Sequence, residues 1–543
     1  MAKIGLLVLT NPTKFGRLLP EIKQHVNKTL YIQLCPGNRL SPPSTSGDTV
    51  VQGFHYSPSV NRIYSQASSF CQNLDVRVLL ASLKNPLLTT IHTRKPIEIV
   101  IFDQVFNNEE VDNFIKSCLL NATQRCQIVT INASEEPSNE SDMQMPCTTE
   151  IASPIRNHSI PNKYNKMHEN VVLGGTFDRL HAGHKILLSE AVLRCTKQLT
   201  VGVTETMMLK SKVLWEMIQP CPDRMSLVED FLEDIDSSLQ YDVVPIYDPF
   251  GPTKEDPTFE LIVVSAETYK GGLKVNEIRQ KNGLSPLEIH AVDLLSAIAE
   301  QIDDEEEEDK ISSSNQRMRL LGTRLKTPEA RPSLNSRPYV IGLTGSIASG
   351  KSSVSERLRK LGAGVVNCDL LGHEVYKKGQ LCHELLIKEF GTEILDENRE
   401  INRKALGNIV FNNKERLDKL NSLVWPHILK LAKEEINALY ETGHQIIILD
   451  AAVLLQAGWD NEVHEIWTCL IPPEESVRRL QERNSLTENE AKLRIASLPS
   501  NIEFLEKANV VLCTLWSTRY TQKQVEKAWK GLELYLEEVT GKA

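Results

Sequence analysis

The stretch that decides the fold runs Tyr339-Val-Ile-Gly-Leu-Thr-Gly345-Ser-Ile-Ala-Ser-Gly350-Lys351-Ser352. Residues 339–344 form a largely apolar run of strand length, the pattern of a strand buried on both faces. The run passes directly into GxxxxGK[ST], and SSVSERLRKLG behind it has helical periodicity. Strand, glycine-rich turn and helix in that order build a phosphate cradle. Glycines let backbone N–H groups turn in towards phosphate oxygens, and the helix N-terminus adds its positive dipole end. Gly345, Ser346, Ile347, Ala348, Ser349, Gly350, Lys351, Ser352 and Ser353 are therefore candidate ATP-binding residues. Lys351 is expected to reach the β- and γ-phosphates, and the Ser352 hydroxyl to ligate Mg²⁺.

Moving outward, residues 364–368 (GVVNC) read as a second strand that ends at Asp369. Ligands of a doubly wound sheet sit at the C-terminal ends of its strands. Asp369 is thus placed to face the γ-phosphate and take a proton from a substrate hydroxyl. Residues 446–451 (IIILDA) read as another buried strand, with Asp450 a candidate position near Mg²⁺. A capping role for Asp369 and a packing role for Asp450 are the competing readings. Arg478, Arg479 and Arg483, then Arg494, lie on helical stretches that flank residues 484–487. That is the pattern of a lid closing over transferring phosphates, with Arg483 the candidate catalytic arginine and Arg494 a candidate ATP contact.

A second signature precedes the first. Residues 171–173 read as a strand entering Gly174-Gly175-Thr176-Phe177-Asp178-Arg179-Leu180-His181-Ala182-Gly183-His184, followed by a helical run over 185–194. Glycines there bring phosphates close to the backbone, which makes Gly174, Gly175, Thr176 and Phe177 candidate nucleotide contacts. His181 and His184, three apart at a helix start, project to one side. Two imidazoles so placed can donate hydrogen bonds to a pentacoordinate α-phosphate, and both are candidate catalytic residues. Nothing at ligand spacing completes a zinc site around them.

The 543 residues contain 41% hydrophobic and 24% charged side chains, which excludes a disordered or fibrous chain. At roughly 150 residues per domain the length predicts three to four domains. The net charge of −10 owes much to the acidic run at residues 303–309. The rest is nearly balanced, so no nucleic-acid partner is expected. Eleven cysteines without a CxxC pair fit a reducing compartment. No secretory leader and no membrane-spanning run is evident. The expected location is cytoplasmic, with mitochondrial association suggested by Lys3, Lys14, Arg17, Lys23 and Lys28 against Glu21 in the first thirty residues. The expected class is α/β throughout. Residues 1–133 form an amino-terminal α/β region with strands near 3–10, 30–35, 76–80, 97–103 and 127–132. It carries no phosphate loop or acid/base constellation, and it is a candidate surface for protein partners. Residues 134–167 read as a linker, 168–302 as a Rossmann-like nucleotide-transfer domain, 303–337 as an acidic and polar tether, and 338–543 as the P-loop domain.

Residues 339 to about 535 resemble the dephospho-coenzyme A kinase family in Gly345–Ser352, Asp369, Trp425-Pro426-His427, Asp450 with the apolar residues after it, and Arg483 with Arg494. The resemblance implies that Asp369 is the base for the ribose 3′-hydroxyl of dephospho-coenzyme A. Two positions depart from the family: Asn367 stands where another acid is usual, and Leu498-Pro499 replaces a glutamine after the lid arginine. Residues 170–300 resemble the HxGH nucleotidylyltransferases, specifically the eukaryotic phosphopantetheine adenylyltransferases. The support lies downstream, in Lys210 and Lys212 after a strand at 199–204, Asp223-Arg224 opening a helix, and VVSAETYKGGLKVNEIR at 263–279. Ser265, Glu267 and Thr268 lie at a strand-to-helix turn suited to the β- and γ-phosphates of ATP, with Asn276 and Arg279 behind. The resemblance implies that Arg224 and one of Lys210 and Lys212 hold substrate phosphates.

Together the two halves resemble the bifunctional coenzyme A synthases of animals. That implies two successive reactions using ATP and Mg²⁺, adenylyl transfer to 4′-phosphopantetheine and phosphorylation of dephospho-coenzyme A; a monomer is the separate expectation. Two alternatives stand beside it: a nicotinamide-mononucleotide adenylyltransferase fused to a nucleoside kinase, and a scaffold with vestigial ATP sites.

Overall fold

A computed structural model describes residues 1–35, 40, 53–71, 73–85, 87–131, 166–293, 313–410 and 413–541. Its three sheets each have five strands, all paired in parallel, with the central strands β1, β6 and β11 apolar and largely buried. The first contains β1 (Ala2–Leu9), β2 (Val26–Leu34), β3 (Asp75–Val78), β4 (Ile97–Phe102) and β5 (Ala122–Thr130), in the order β3-β2-β1-β4-β5. The second contains β6 (His168–Gly175), β7 (Cys195–Thr204), β8 (Gln240–Ile246), β9 (Leu261–Ser265) and β10 (Glu288–Val292), in the order β10-β9-β6-β7-β8. The third contains β11 (Tyr339–Gly345), β12 (Gly364–Asn367), β13 (Ile446–Asp450), β14 (Glu465–Leu470) and β15 (Val510–Cys513), in the order β12-β13-β11-β14-β15. Both signature loops leave the central strand of their sheet, β6 and β11. Neighbouring strand ends therefore surround each loop.

The chain divides into two compact units. The first takes residues 1–211 and 219–315, the second residues 212–218 and 316–543. In the first unit the amino-terminal sheet and the HxGH sheet share a core. Leu7, Phe15, Ile32 and Ile63 pack in one apolar cluster with Ile186, Leu188, Val228 and Phe231. Basic residues near the chain start lie on structural elements: Lys3 on the central strand β1, and Arg17 and Lys23 on the helix Phe15–His25. Among the described residues no helix is long and apolar enough to cross a membrane.

The expected linker at 134–167 lies almost wholly outside the described residues, as do 303–312 of the expected tether. Residues 313–337 differ from expectation. Ser313–Leu320 is helical, and Met318 and Leu321 are buried. Those two residues, three apart, supply the apolar contact that holds this stretch to the fold. The surrounding Ser and Arg residues mask it in composition.

Candidate active sites

In the second unit the phosphate loop is fixed by backbone geometry. Gly345 has φ +149, and a Cβ there would lie 2.1 Å from the Cys469 carbonyl oxygen. Gly350 has φ +81, and a Cβ would lie 2.8 Å from Thr514 Oγ1. No other residue type fits either place. Ala348 between them is also left-handed, at φ 59. Lys351 and Ser352 open the helix Lys351–Lys360, so the loop delivers both to the first helical turn. The hydroxyl oxygens of Ser346 and Ser349 are buried without a hydrogen-bond partner. A cradle for phosphate oxygens would use such donors.

Register brings the acids to this loop. Leu343 pairs with Asp450, and Asp450 with Asn367, so β11, β13 and β12 end side by side. Asp450 is 1% exposed and forms an ion pair with Lys351. Asn367 caps the helix Cys368–Glu374 by accepting from Leu370 N at 3.0 Å. This takes the cap that Asp369 was a candidate for, and Asp369 lies exposed in the first turn. Burial pushes the Cys368 thiol up to about 12, and the charges of Asp450, Asp369 and Lys351 all reach it. The three charged groups therefore share one neighbourhood.

The stretch expected to act as a lid is a pair of helices, Pro473–Asn484 and Glu488–Ala496. Ser485 turns between them at φ 52, and Thr487 with Glu490 forms a capping box. Arg483 and Arg494 are exposed. Arg479, which the sequence did not separate from its neighbours, lies on the phosphate loop instead. It donates to the Ala348 carbonyl at 3.2 Å and to Thr514 Oγ1 and O at 2.8 and 2.7 Å. Thr514 Oγ1 in turn donates to the Ser349 carbonyl at 2.8 Å. Arg479 thus braces the loop from the lid's first helix. Trp425, Pro426 and His427 lie within the long helix Lys414–Glu441.

In the first unit β6 ends at Gly174 and Gly175, and Phe177 follows at φ 51 with no exposure. The helix Ala182–Arg194 begins at once after His181. The rings of His181 and His184 stack with centroids 3.8 Å apart, and Phe177 lies 5.3 Å from His184. Burial holds the His181 imidazole down, at about 4, with Lys185 adding to the effect and Asp178 opposing it. The ring is neutral in the physiological range and keeps one N–H to donate.

Both Nε2 atoms converge on one oxygen, Ser313 Oγ, 3.2 Å from His181 and 3.5 Å from His184. The sequence reading missed Ser313 because it falls just beyond the acidic run.

Arg224, expected to hold substrate phosphate, and Asn276 and Arg279, expected to bind nucleotide or substrate, are engaged with the backbone instead. Arg224 has no exposure and donates to the carbonyls of Gln219, Thr176 and Thr204 at 2.8, 2.6 and 2.8 Å. Arg279 has none either, and donates to those of Ser285, Thr253 and Asp256 at 2.8, 2.6 and 2.8 Å. Asn276 clasps the backbone of Leu287 from both sides, at 2.9 and 2.7 Å. These side chains satisfy loop carbonyls that strand ends leave unpaired. Arg224→Met should therefore destabilise the first unit by about 3 kcal/mol in urea unfolding. Were Arg224 a phosphate-holding residue, the substitution would instead weaken nucleotide binding at unchanged stability.

Ser265 and Thr268 form a capping box before the helix Tyr269–Lys281, and Glu267 is exposed beside them. Thr176 is buried, and its hydroxyl accepts from Thr204 Oγ1 at 3.3 Å. Lys210 is exposed in the first unit, and Lys212 is assigned to the second.

Comparison with known proteins places families on these geometries. Residues 339–515 match the dephospho-CoA kinase family, 172–319 the cytidylyltransferase-like family, and 3–130 the COASY N-terminal domain. The second match runs to 319, past the expected boundary at 302, and includes Ser313. Dephospho-CoA kinase of Carboxydothermus hydrogenoformans is 38% identical over 186 residues, 34% of this chain and 90% of that protein. The Geobacillus kaustophilus enzyme is 36% identical over 196 residues, 36% of this chain and 98% of that protein. A solved dephospho-CoA kinase from Campylobacter jejuni aligns with 35% of this chain and 95% of its own at 26% identity, TM-score 0.27.

Proposed function

The chain belongs to the dephospho-CoA kinase family, and from that premise we propose that its second ATP-using site makes the kinase's own substrate by adenylylating 4′-phosphopantetheine. One observation carries this reading. Free-standing kinases are spanned almost end to end by the last third of the chain, and the HxGH site lies in the remaining unit. The two domains together serve the last two steps of coenzyme A biosynthesis. A nucleoside kinase is not favoured, because the match is to dephospho-CoA kinase.

In the first reaction a phosphate oxygen of 4′-phosphopantetheine attacks the α-phosphorus of ATP. A P–O bond forms, the bond to the β-phosphate breaks, and pyrophosphate leaves. A phosphoryl oxygen arriving at the convergence point of the two Nε2 atoms would take their hydrogen bonds as charge spreads. In the second reaction the 3′-hydroxyl of dephospho-CoA attacks the γ-phosphorus of another ATP, and ADP leaves. Asp369, exposed at the start of its helix, is free to accept the hydroxyl proton. Lys351 exchanges Asp450 for the phosphates, and Arg483 and Arg494 approach as the lid closes.

Ser352 and Asp450 offer a hydroxyl and a carboxylate, the hard oxygen donors that Mg²⁺ takes alongside nucleotide phosphates. The ion would neutralise charge on the transferring phosphates. Incubation with 4′-phosphopantetheine and Mg-ATP, followed by mass, should show dephospho-CoA rise and then fall as CoA accumulates. Dinucleotide formed from nicotinamide mononucleotide, with no product from 4′-phosphopantetheine, would overturn the reading.

A further inference from the structure

Three ionisable groups on the two helices that frame the HxGH loop are buried, and all three take partners from residues 31–94. Lys185 follows His184, and its N–H donates to the His181 carbonyl at 3.0 Å. Its ammonium donates to Asp75 Oδ1 at 2.6 Å and to the Val76 carbonyl at 2.8 Å, with the Phe231 ring 5.8 Å away. Both acceptors belong to β3 of the amino-terminal sheet. Glu190, on the same helix, accepts from Ser57 Oγ at 3.0 Å and Asn61 Nδ2 at 2.9 Å, besides its pair with Arg194. Asp234, on the helix Cys221–Ile235, accepts from Tyr31 OH and Arg94 N at 2.7 Å each and pairs with Arg77.

An isolated buried ammonium or carboxylate is strongly disfavoured, so a domain that folded and worked alone would not place charges at these positions. From this geometry we infer that the amino-terminal α/β region is a positioning element of the adenylyl-transfer site, acting through Asp75 on Lys185. The inference rests on the adenylyl-transfer reading of that site. Asp75 fixes the ammonium, and the ammonium fixes the first turn of the helix on which His184 lies and from which His181 leads. Asp75 is ionised for the task. Burial would raise its carboxyl, but Lys185 and Arg77 outweigh that and hold it at about 2. Asp75 and Lys185 are positioning residues: the Lys185 ammonium is bonded to Asp75 and Val76, and it acts on His181 through the helix backbone and through its charge.

The test perturbs the contact from both sides in the full chain. Lys185→Met keeps the apolar stem and leaves Asp75 paired with Arg77 at 2.9 Å and Lys95 at 3.8 Å, so no charge is stranded. Asp75→Asn removes the counter-charge. Each variant should lose about 10–100-fold in the turnover of adenylyl transfer, the penalty of a slightly misplaced catalytic group, with the KM for ATP within about threefold. Phosphorylation of dephospho-CoA by the same samples should stay within about twofold, and the double variant should be no worse than the poorer single one. Asp75→Glu, which restores the charge, should recover part of the loss. Lys185→Met at full turnover would overturn the inference, and so would a loss expressed only in KM or equally in both reactions. Wild-type protein that fails to adenylylate 4′-phosphopantetheine would instead overturn the reading of the site. If Asp75→Asn does not fold, Lys185→Met alone decides.

Discussion

Lys351→Ala is expected to lower the phosphorylation of dephospho-CoA by about 10³-fold while adenylyl transfer stays within about twofold. Two effects contribute, and they can be separated. The first is chemical: the side chain at the head of the Lys351–Lys360 helix is the cation that the loop presents to the β- and γ-phosphates. The second is structural. Lys351 and Asp450 form an ion pair whose side chains are 12% and 1% exposed, so removing the lysine leaves a carboxylate buried without its partner. That costs about 3–5 kcal/mol, enough to lower the melting temperature of the second unit. Lys351→Ala combined with Asp450→Asn removes the stranded charge. It should regain most of the lost stability in thermal unfolding and none of the lost activity. If activity returned together with stability, Lys351 would be a folding residue and the phosphate assignment would be wrong. The adenylyl-transfer assay on the same sample is the internal control, because His181 and His184 belong to the other unit.

How far such sites can be read beforehand depends on what fixes each residue. The phosphate loop was legible because its glycines are dictated locally: positive φ at Gly345 and Gly350, with backbone or side-chain atoms where a Cβ would sit, admits no substitute. The strands were legible because parallel pairing buries both faces and writes apolar runs. Arg224 and Arg279 misled for the opposite reason. A guanidinium that satisfies loop carbonyls and one that holds a phosphate have the same spelling, and only burial separates them. The lid shows a finer version. Arg479 and Arg483 are four apart on one helix, yet Arg479 reaches the Ala348 carbonyl and Arg483 is exposed. Ser313 and Asp75 were out of reach altogether. Ser313 meets the imidazoles from 129 and 132 positions away, and Asp75 meets Lys185 from 110. Neither carries a local pattern, because the fold alone brings these residues together.

His184→Ala should remove adenylyl transfer, by about 10²–10³-fold in turnover, and leave phosphorylation of supplied dephospho-CoA intact. The ring it deletes stacks on His181 and packs on Phe177, so the variant loses a donor and also the surface that orients the other imidazole. His181→Ala should match it in turnover and differ from it in acid. Burial, reinforced by Lys185 and opposed by Asp178, keeps the folded-state value of His181 at about 4, below the unfolded value near 6.5. Between these values the unfolded chain binds more protons, so the contribution of the neutral ring is complete above about pH 6.5 and fades as pH falls towards 4. Its full extent is roughly 3 kcal/mol. His168, in the same unit, is held down by burial too, so the acid limb should become shallower in His181→Ala without vanishing. Urea unfolding of the first unit at pH 7.5 and at pH 4.5 measures the difference. A midpoint that fell equally in wild type and His181→Ala would mean that His181 is not buried in its neutral form, and the paired-donor account of the first site would fall with it.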